Sequence, residues 1–315
     1  MNLEGRPQAP LMSNPRADRV RDVAKLAGRS SRLKTGRFLA EGPQAVREAL
    51  SAHRAAAADG GPAVVHEVYA TEACLDRLPE LADLAQGVTL RLATDEVLAA
   101  MADTVSPQGI VAVCHTSTAT LEDVLASGAK LVAVLCEVRD PGNAGTVLRA
   151  ADSAGADAVV LTASSVDIYN PKAVRSTAGS LFHLPVVTGA DFAAVMDVLH
   201  QAGVTVLAAD GYGNVNLDRL QDLSAVRRFG GAQGAGSVAG SSRPGEEDGA
   251  VEAALPQLEQ PTAWLFGNEA QGLSDAELAA ADHRVAVPLY GRAESLNVGT
   301  AATVCLYASA RAQNR

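Results

Sequence analysis

Two stretches near the C-terminus decide the fold: Thr262-Ala-Trp-Leu-Phe-Gly-Asn-Glu-Ala-Gln-Gly-Leu-Ser274 and Val285-Ala-Val-Pro-Leu-Tyr-Gly-Arg-Ala-Glu-Ser-Leu-Asn-Val-Gly-Thr300. In each, a short apolar strand stops at a Gly or Pro and passes into a polar loop. The second loop leads into a helix at Ser295-Leu-Asn297. Ligands in open α/β folds sit beyond the carboxyl ends of strands, so both loops are candidate site segments. Upstream, Leu131-Val-Ala-Val-Leu-Cys136 is a continuous apolar run, the pattern of a parallel strand covered on both faces. It leads into Asp140-Pro-Gly-Asn-Ala-Gly-Thr-Val-Leu-Arg-Ala-Ala-Asp152, where the Asp-Pro-Gly turn brings the chain off the strand.

Between these blocks, strand-like and helix-like segments alternate: helix Gly142–Ala154, strand Ala158–Leu161, helix Pro171–Ser176, strand Leu184–Val187, helix Asp191–Gln201, strand Val204–Ala208. Such alternation predicts a parallel α/β sheet. From about Phe229 to Gln260 the pattern breaks, and residues 230–249 form a Gly/Ser tract with an acidic end, the composition of a flexible insertion. Its glycines resemble a phosphate loop superficially, but no apolar strand precedes them and no Gly-Lys-Ser/Thr is present. N-terminal to all this lies a smaller α/β region. It reads as helix Ala17–Ala27, a basic loop Gly28–Gly36, helix Pro43–Ala57, strand Val64–Tyr69, helix Thr71–Ala85, strand Val88–Leu92, helix Asp95–Met101 and strand Gly109–His115. Thr120–Lys130 reads as a helix and linker into the second domain.

A chain of 315 residues, 48% apolar, can bury two sizeable cores; with only 3% aromatics these must be built mostly of Ala, Val and Leu. No apolar run approaches the roughly 18 residues of a membrane span, and residues 1–15 lack the apolar core of a secretory signal. Cys74, Cys114, Cys136 and Cys305 are scattered without a Cys-x-x-Cys pair, which fits buried thiols in a reducing cytoplasm better than zinc or disulfides. No His/Cys/carboxylate cluster calls for a metal. The net charge of −10 argues mildly against a nucleic-acid partner, but its distribution is uneven. Residues 1–50 hold ten Lys/Arg and five Asp/Glu, while the remainder holds sixteen and thirty-one. Phosphate recognition needs a local positive surface, not a positive total. The basic run Arg29, Arg32, Lys34 and Arg37 is therefore either an RNA-contacting segment or the solvated face of a helix.

The three C-terminal blocks resemble, in order, the three motifs of the SpoU (TrmH) family of RNA ribose 2′-O-methyltransferases. Arg29 to Leu50 resembles, less specifically, the start of that family's ribosomal-protein-like substrate-binding domain. The resemblance covers essentially the whole chain. It implies a small N-terminal α/β substrate-binding domain plus a C-terminal parallel α/β sheet with a deep trefoil knot. It also implies S-adenosylmethionine as methyl donor, a cytoplasmic homodimer, and structured RNA as substrate, 23S ribosomal RNA above transfer RNA. Some such family members confer resistance to ribosome-targeting antibiotics, and housekeeping modification is equally open. Periodicity shows no knot, and knots are nearly absent from folds. The expected boundaries are a disordered N-terminus 1–15, a substrate domain 16–117 and a methyltransferase domain 118–315 with its insertion at about 230–260.

Carried over residue by residue, the family's site places Asn143, Arg149, Glu269, Ser295 and Asn297 at the reaction and the backbone of Gly267, Val287 and Leu296 at the cofactor. Taken alone, Asn143, Ser295 and Asn297 read as helix caps, Arg149 as a surface cation and Glu269 as an exposed turn carboxylate. The family proposal makes the matching arginine a general base. A guanidinium is effectively never deprotonated in proteins, so a sounder role for Arg149 is to hold phosphate and stabilise alkoxide charge. The rival of a different class is a catalytically idle RNA-binding or ribosome-assembly protein of the same fold. A dinucleotide enzyme is disfavoured, because no Gly-x-Gly-x-x-Gly turn follows the first strand.

Overall fold

The computed structural model describes residues 10–230 and 255–314, in two compact units. The expected disorder of residues 1–9 and the expected flexibility of the insertion from 231 to 254 lie outside the described residues.

The smaller unit comprises the chain to Thr118 together with Asp167–His183. Its sheet contains β1 (Arg37–Glu41), β2 (Val65–Ala70), β3 (Thr89–Leu92) and β4 (Ile110–His115), in the order β1-β4-β2-β3. β4 runs antiparallel to both neighbours, and β2 and β3 are parallel. Leu39, Tyr69, Val111 and Val113 on one face meet Val20, Val23, Val97, Leu98 and Met101 from two amphipathic helices. On the other side, Phe38 packs against the rings of Tyr169 and Phe182, at 4.8 and 6.0 Å. Segment 167–183 is fixed there by ion pairs as well: Arg175 bridges Glu41 and Asp103, and buried Arg32 pairs with Asp167.

Several local readings need correction. Gly28–Gly36 is not a loop: Arg29–Thr35 is a helix, and Gly36 ends it at φ 63°. Residues 29–35 have good helix formers and no internal Gly or Pro, so their basic composition misdirected the reading. β1 lacked a prediction because its five residues, Arg-Phe-Leu-Ala-Glu, show no alternation, the strand being buried on both faces. The helix Thr71–Ala85 divides into Glu72–Arg77 and Pro79–Leu84, because Leu78 precedes a proline and leaves helical geometry. Met12, within the stretch expected to be disordered, pairs with the edge of β3 through bonds to Leu92 and Thr94.

The larger unit comprises Ala119–Val166 and Leu184–Arg315. Seven strands form its sheet: β5 (Leu131–Leu135), β6 (Ala158–Thr162), β7 (Val186–Ala190), β8 (Thr205–Ala209), β9 (Val215–Asn216), β10 (Thr262–Phe266) and β11 (His283–Ala286). Their order is β7-β6-β5-β10-β8-β11-β9, and every pairing is parallel. β5, β6 and β10 are buried along their whole length, as their unbroken apolar sequences require. β9 and the following helix Leu217–Phe229 had no counterpart in the sequence reading; that helix has many charged residues and only a few buried positions. Trp264, fully buried, donates its indole N–H to Ser309 Oγ at 2.9 Å, which satisfies its one polar atom. All four cysteines are free and buried, and desolvation pushes the Cys114, Cys136 and Cys305 thiols up. No described helix is long and apolar enough to cross a membrane.

Candidate functional site

Sheet order makes the site. The chain leaves β5 toward β6 and β7, and later strands build the opposite half, with β10 between β5 and β8. All strands point the same way, so the loops after β5, β10 and β11 gather at one edge of the larger unit, beside the reversal of strand order where such sheets bind ligands.

The loop after β10 is a tight turn. Asn268 and Gly272 exchange both backbone hydrogen bonds, at 3.0 and 2.8 Å, and Gly272 closes the turn at φ 70°. Asn268 Oδ1 accepts from Ala270 N at 2.9 Å and Gln271 N at 3.3 Å, while its Nδ2 donates to the Glu137 carbonyl at 3.0 Å. Glu137 follows β5 at φ 54°, a left-handed conformation that costs a non-glycine residue about 1 kcal/mol or more. Asn268 thus clamps the bend through which the chain leaves β5. The sequence reading missed this residue, although it sits inside the quoted turn and is of a type that bonds its own backbone.

Glu269 projects from that turn onto the loop after β5. Its carboxylate accepts from Arg139 N at 3.4 Å, Asp140 N at 3.3 Å and Asn143 Nδ2 at 3.1 Å. Asn143 Oδ1 in turn accepts from Asn297 Nδ2 at 3.0 Å, and Asn297 Oδ1 accepts from Gly299 N at 2.9 Å, capping the C-terminal helix Val298–Gln313. One chain of side chains therefore ties together all three loops. Asp140, not Asn143, caps the helix Pro141–Ala154, accepting from Asn143 N at 2.9 Å. The Asn143 amide is left for Glu269 and Asn297. Ser295 is exposed and outside this network; the expected share of Ser295 in capping falls to Asn297 alone.

Arg149 lies two turns into the helix Pro141–Ala154 and is exposed. That helix and the C-terminal helix run side by side in the same direction: Thr146 meets Gly299, where a Cβ would come within 2.6 Å, and Ser153 O accepts from Tyr307 Oη at 3.0 Å. Arg149 sits three and four positions from these contacts, on the same helical stripe. Among the described residues it has no hydrogen-bond or ion-pair partner, so its planar fork is available to an anion.

The cofactor expectations need one change of reason. A Cβ on Gly267 would lie 2.3 Å from the Gly272 carbonyl carbon and 2.4 Å from Leu273 N. The turn itself requires this glycine, before any ligand arrives. Val287 and Leu296 are half-buried and bound a segment in which no backbone group of residues 287–296 hydrogen-bonds within the described structure. Tyr290 Oη donates to Asp218 and anchors the segment's middle. Free N–H and C=O groups at a strand's carboxyl end suit the nucleoside part of S-adenosylmethionine, so the residues present fit that cofactor. Among the described residues no His/Cys/carboxylate group could hold a metal ion.

In the smaller unit, the basic run separates. Arg29 and Lys34 are exposed and Arg37 is half-buried. Arg32 is 3% exposed; it pairs with Asp167 at 2.8 Å and donates to the Leu26 and Ala27 carbonyls at 2.8 and 2.6 Å. The expectation that Arg32 contacts RNA is therefore corrected: all its reach is spent inside the fold.

A family model described as the SpoU rRNA methylase family matches residues 130–307, and one described as an MRM3-like substrate binding domain matches 17–112. The chain is 35% identical to the 23S rRNA (guanosine(2553)-2′-O)-methyltransferase RlmP of Bacillus subtilis, over 92% of this chain and 94% of that one. A crystal structure described as an RNA 2′-O ribose methyltransferase is 26% identical, with TM-score 0.69, over 97% of this chain and 99% of that one. The SpoU methyltransferase AviRb from Streptomyces viridochromogenes, in complex with the cofactor AdoMet, is 27% identical with TM-score 0.69, over 94% of this chain and 98% of that one.

Proposed function

The chain belongs to the SpoU rRNA methylase family, and we propose that it methylates a ribose 2′-hydroxyl of 23S ribosomal RNA with S-adenosylmethionine as donor. The observation that carries this reading is the Glu269–Asn143–Asn297 chain, which joins all three motif loops, with Arg149 on the same helix as Asn143 and its side chain without a partner among the described residues. The relatives that are rRNA methyltransferases support the choice of ribosomal RNA.

When bound, S-adenosylmethionine supplies an electrophilic sulfonium methyl. The chain must bring a ribose hydroxyl to it and manage a proton. Arg149 holds a phosphate next to the target ribose and stabilises negative charge as it grows on the 2′-oxygen. It does not take the proton, since guanidinium stays protonated; the proton leaves to phosphate or water. Glu269 is a positioning residue, with its carboxylate engaged by two backbone N–H groups and Asn143. Such rigid placement is what an orientation-limited displacement needs.

Exposed Val304 and Tyr307 on the C-terminal helix, flanking the stripe of Arg149, favour a homodimer through that face. Four free thiols favour a cytoplasmic location. Insertion of the late strand β10 between β5 and β8 favours the trefoil knot implied by the family. RNA capture falls to Arg29, Lys34 and Arg37. The test is transfer of a labelled methyl group from S-adenosylmethionine to 23S rRNA by the purified protein, with sedimentation to give the oligomeric state. Label that stays off RNA, with cofactor and RNA both bound, would leave the idle RNA-binding reading in its place.

A further inference from the structure

At one end of the smaller unit's sheet, two histidines with no role so far stand beside Arg37. Arg37 and His115 are direct register partners across the antiparallel β1–β4 pair, so their side chains leave the same face. His66 is the extra residue of a bulge in β2: Val65 pairs with Cys114 and Glu67 with Val113. Bulges re-aim a side chain, and here the bulge sets the His66 ring edge-on to the His115 ring, with centroids 5.5 Å apart and planes at 87°. His66 is exposed, and His115 and Arg37 are half-buried.

Local charge is positive. Glu67, the carboxylate next to His66, is already shared by Arg19 at 3.0 Å and Arg91 at 3.3 Å. Arg37 itself has no ion pair among the described residues. His53, from the helix Pro43–Ala58, turns its Nδ1 to Val65 N at 3.1 Å and adds a third imidazole behind the pair. On a chain of net charge −10, Arg37 thus keeps its charge beside two imidazoles that can each donate a hydrogen bond, and among the described residues no carboxylate pairs with it.

We propose that Arg37, His66 and His115 form a phosphodiester-binding site for the RNA substrate, in which the guanidinium holds the phosphate and the paired imidazoles complete its hydrogen bonds. This rests on the RNA-methyltransferase reading. The site is linked to protons. Partial burial first, then the Arg37 charge, holds both imidazoles below their ordinary value; Arg19 adds to this at His66, His66 and then His53 add to it at His115, and only Glu67 opposes it, at His66. A bound phosphate reverses the balance and raises both values, so binding takes up protons. Affinity therefore rises as pH falls through the raised values of the complex, and levels off below the depressed values of the free protein.

The test is filter binding of a radiolabelled 23S rRNA transcript to the full chain and to a His66→Gln/His115→Gln variant, at pH about 8 and about 6, spanning the ordinary histidine value. The full chain is expected to gain affinity on acidification. The variant is expected to lose roughly tenfold at the lower pH, the equivalent of about one pKa unit of linkage, and to show a flattened pH dependence. Arg37→Gln is expected to weaken binding at both pH values. S-adenosylmethionine affinity by calorimetry should stay unchanged in all of them, and thermal unfolding of each variant should report an intact smaller unit. If the full chain binds the transcript and the double variant matches it in affinity and pH slope, this site is overturned while the RNA reading stands. If the full chain itself does not bind the transcript, both fall.

Discussion

The side-chain amide of Asn143 donates to the carboxylate of Glu269 over 3.1 Å, across 126 positions of sequence. That contact joins the loop after β5 to the loop after β10. Glu269→Ala should lower turnover by about tenfold or more, because a loop misplaced by a fraction of an ångström loses the orientation of the reacting groups. S-adenosylmethionine affinity should change little. Glu269→Gln keeps one oxygen, enough for Asp140 N–H and the Asn143 amide, and gives up only the bond from Arg139 N–H, so it should recover much of the lost turnover. Steady-state kinetics of both variants check this. Equal damage by Ala and Gln would assign Glu269 a charge role in the reaction instead.

Arg149→Ala should abolish most methyl transfer and leave cofactor affinity nearly intact, since the role proposed for this exposed side chain is at the phosphate and not at the cofactor. Arg149→Lys is sharper. Lysine keeps the charge and loses the planar fork, so turnover should stay low, with no rescue at alkaline pH. Rescue above pH about 9, toward the ordinary lysine value, would show that a base is needed at this position.

Gly267→Ala separates two reasons for one glycine. Its Cβ would fall 2.3 Å from the Gly272 backbone, so the turn must open even with no ligand present. Thermal unfolding should show a loss of about 1–3 kcal/mol, the usual cost of forced overpacking, together with weaker cofactor binding. Full stability with lost binding would move the clash from the turn to the cofactor.

The basic run should split in two on mutation. Arg29→Ala and Lys34→Ala should leave stability alone and flatten the salt dependence of RNA binding by at most about 0.9 in log–log slope each, as fewer counterions are released. Arg32→Ala strands Asp167 and should destabilise the smaller unit by about 3 kcal/mol, the range for breaking one half of a buried pair. Denaturant unfolding monitored beside filter binding checks both arms.

The parallel sheet was legible because Leu131–Leu135 and Thr262–Phe266 are unbroken apolar runs that end in Gly, Pro or Asp turns. The site residues were legible as motifs, but their division of labour was not. Which of Asp140, Asn143, Ser295 and Asn297 caps a helix depends on contacts between loops far apart in sequence, and all four are good caps locally. Arg32 looked like its basic neighbours, because its partner Asp167 lies 135 positions away. The attachment of residues 167–183 to the smaller unit was equally hidden: it rests on Phe38 meeting Tyr169 and Phe182, and on Arg175 reaching Glu41. Glu137 gives no sequence warning of its positive φ, since that strain is held by Asn268 from another loop.

The role proposed for the three joined loops and Arg149 is transfer of a methyl group to an RNA ribose. The most direct measurement is mapping of ribose 2′-O-methylation on 23S rRNA incubated with the purified protein and S-adenosylmethionine, beside the same reaction with Arg149→Ala. A new 2′-O-methyl group is expected at a defined nucleotide with the native protein, and its near absence with the variant. Methylation on a base, no methylation despite bound cofactor and RNA, or an equal yield from Arg149→Ala would contradict it.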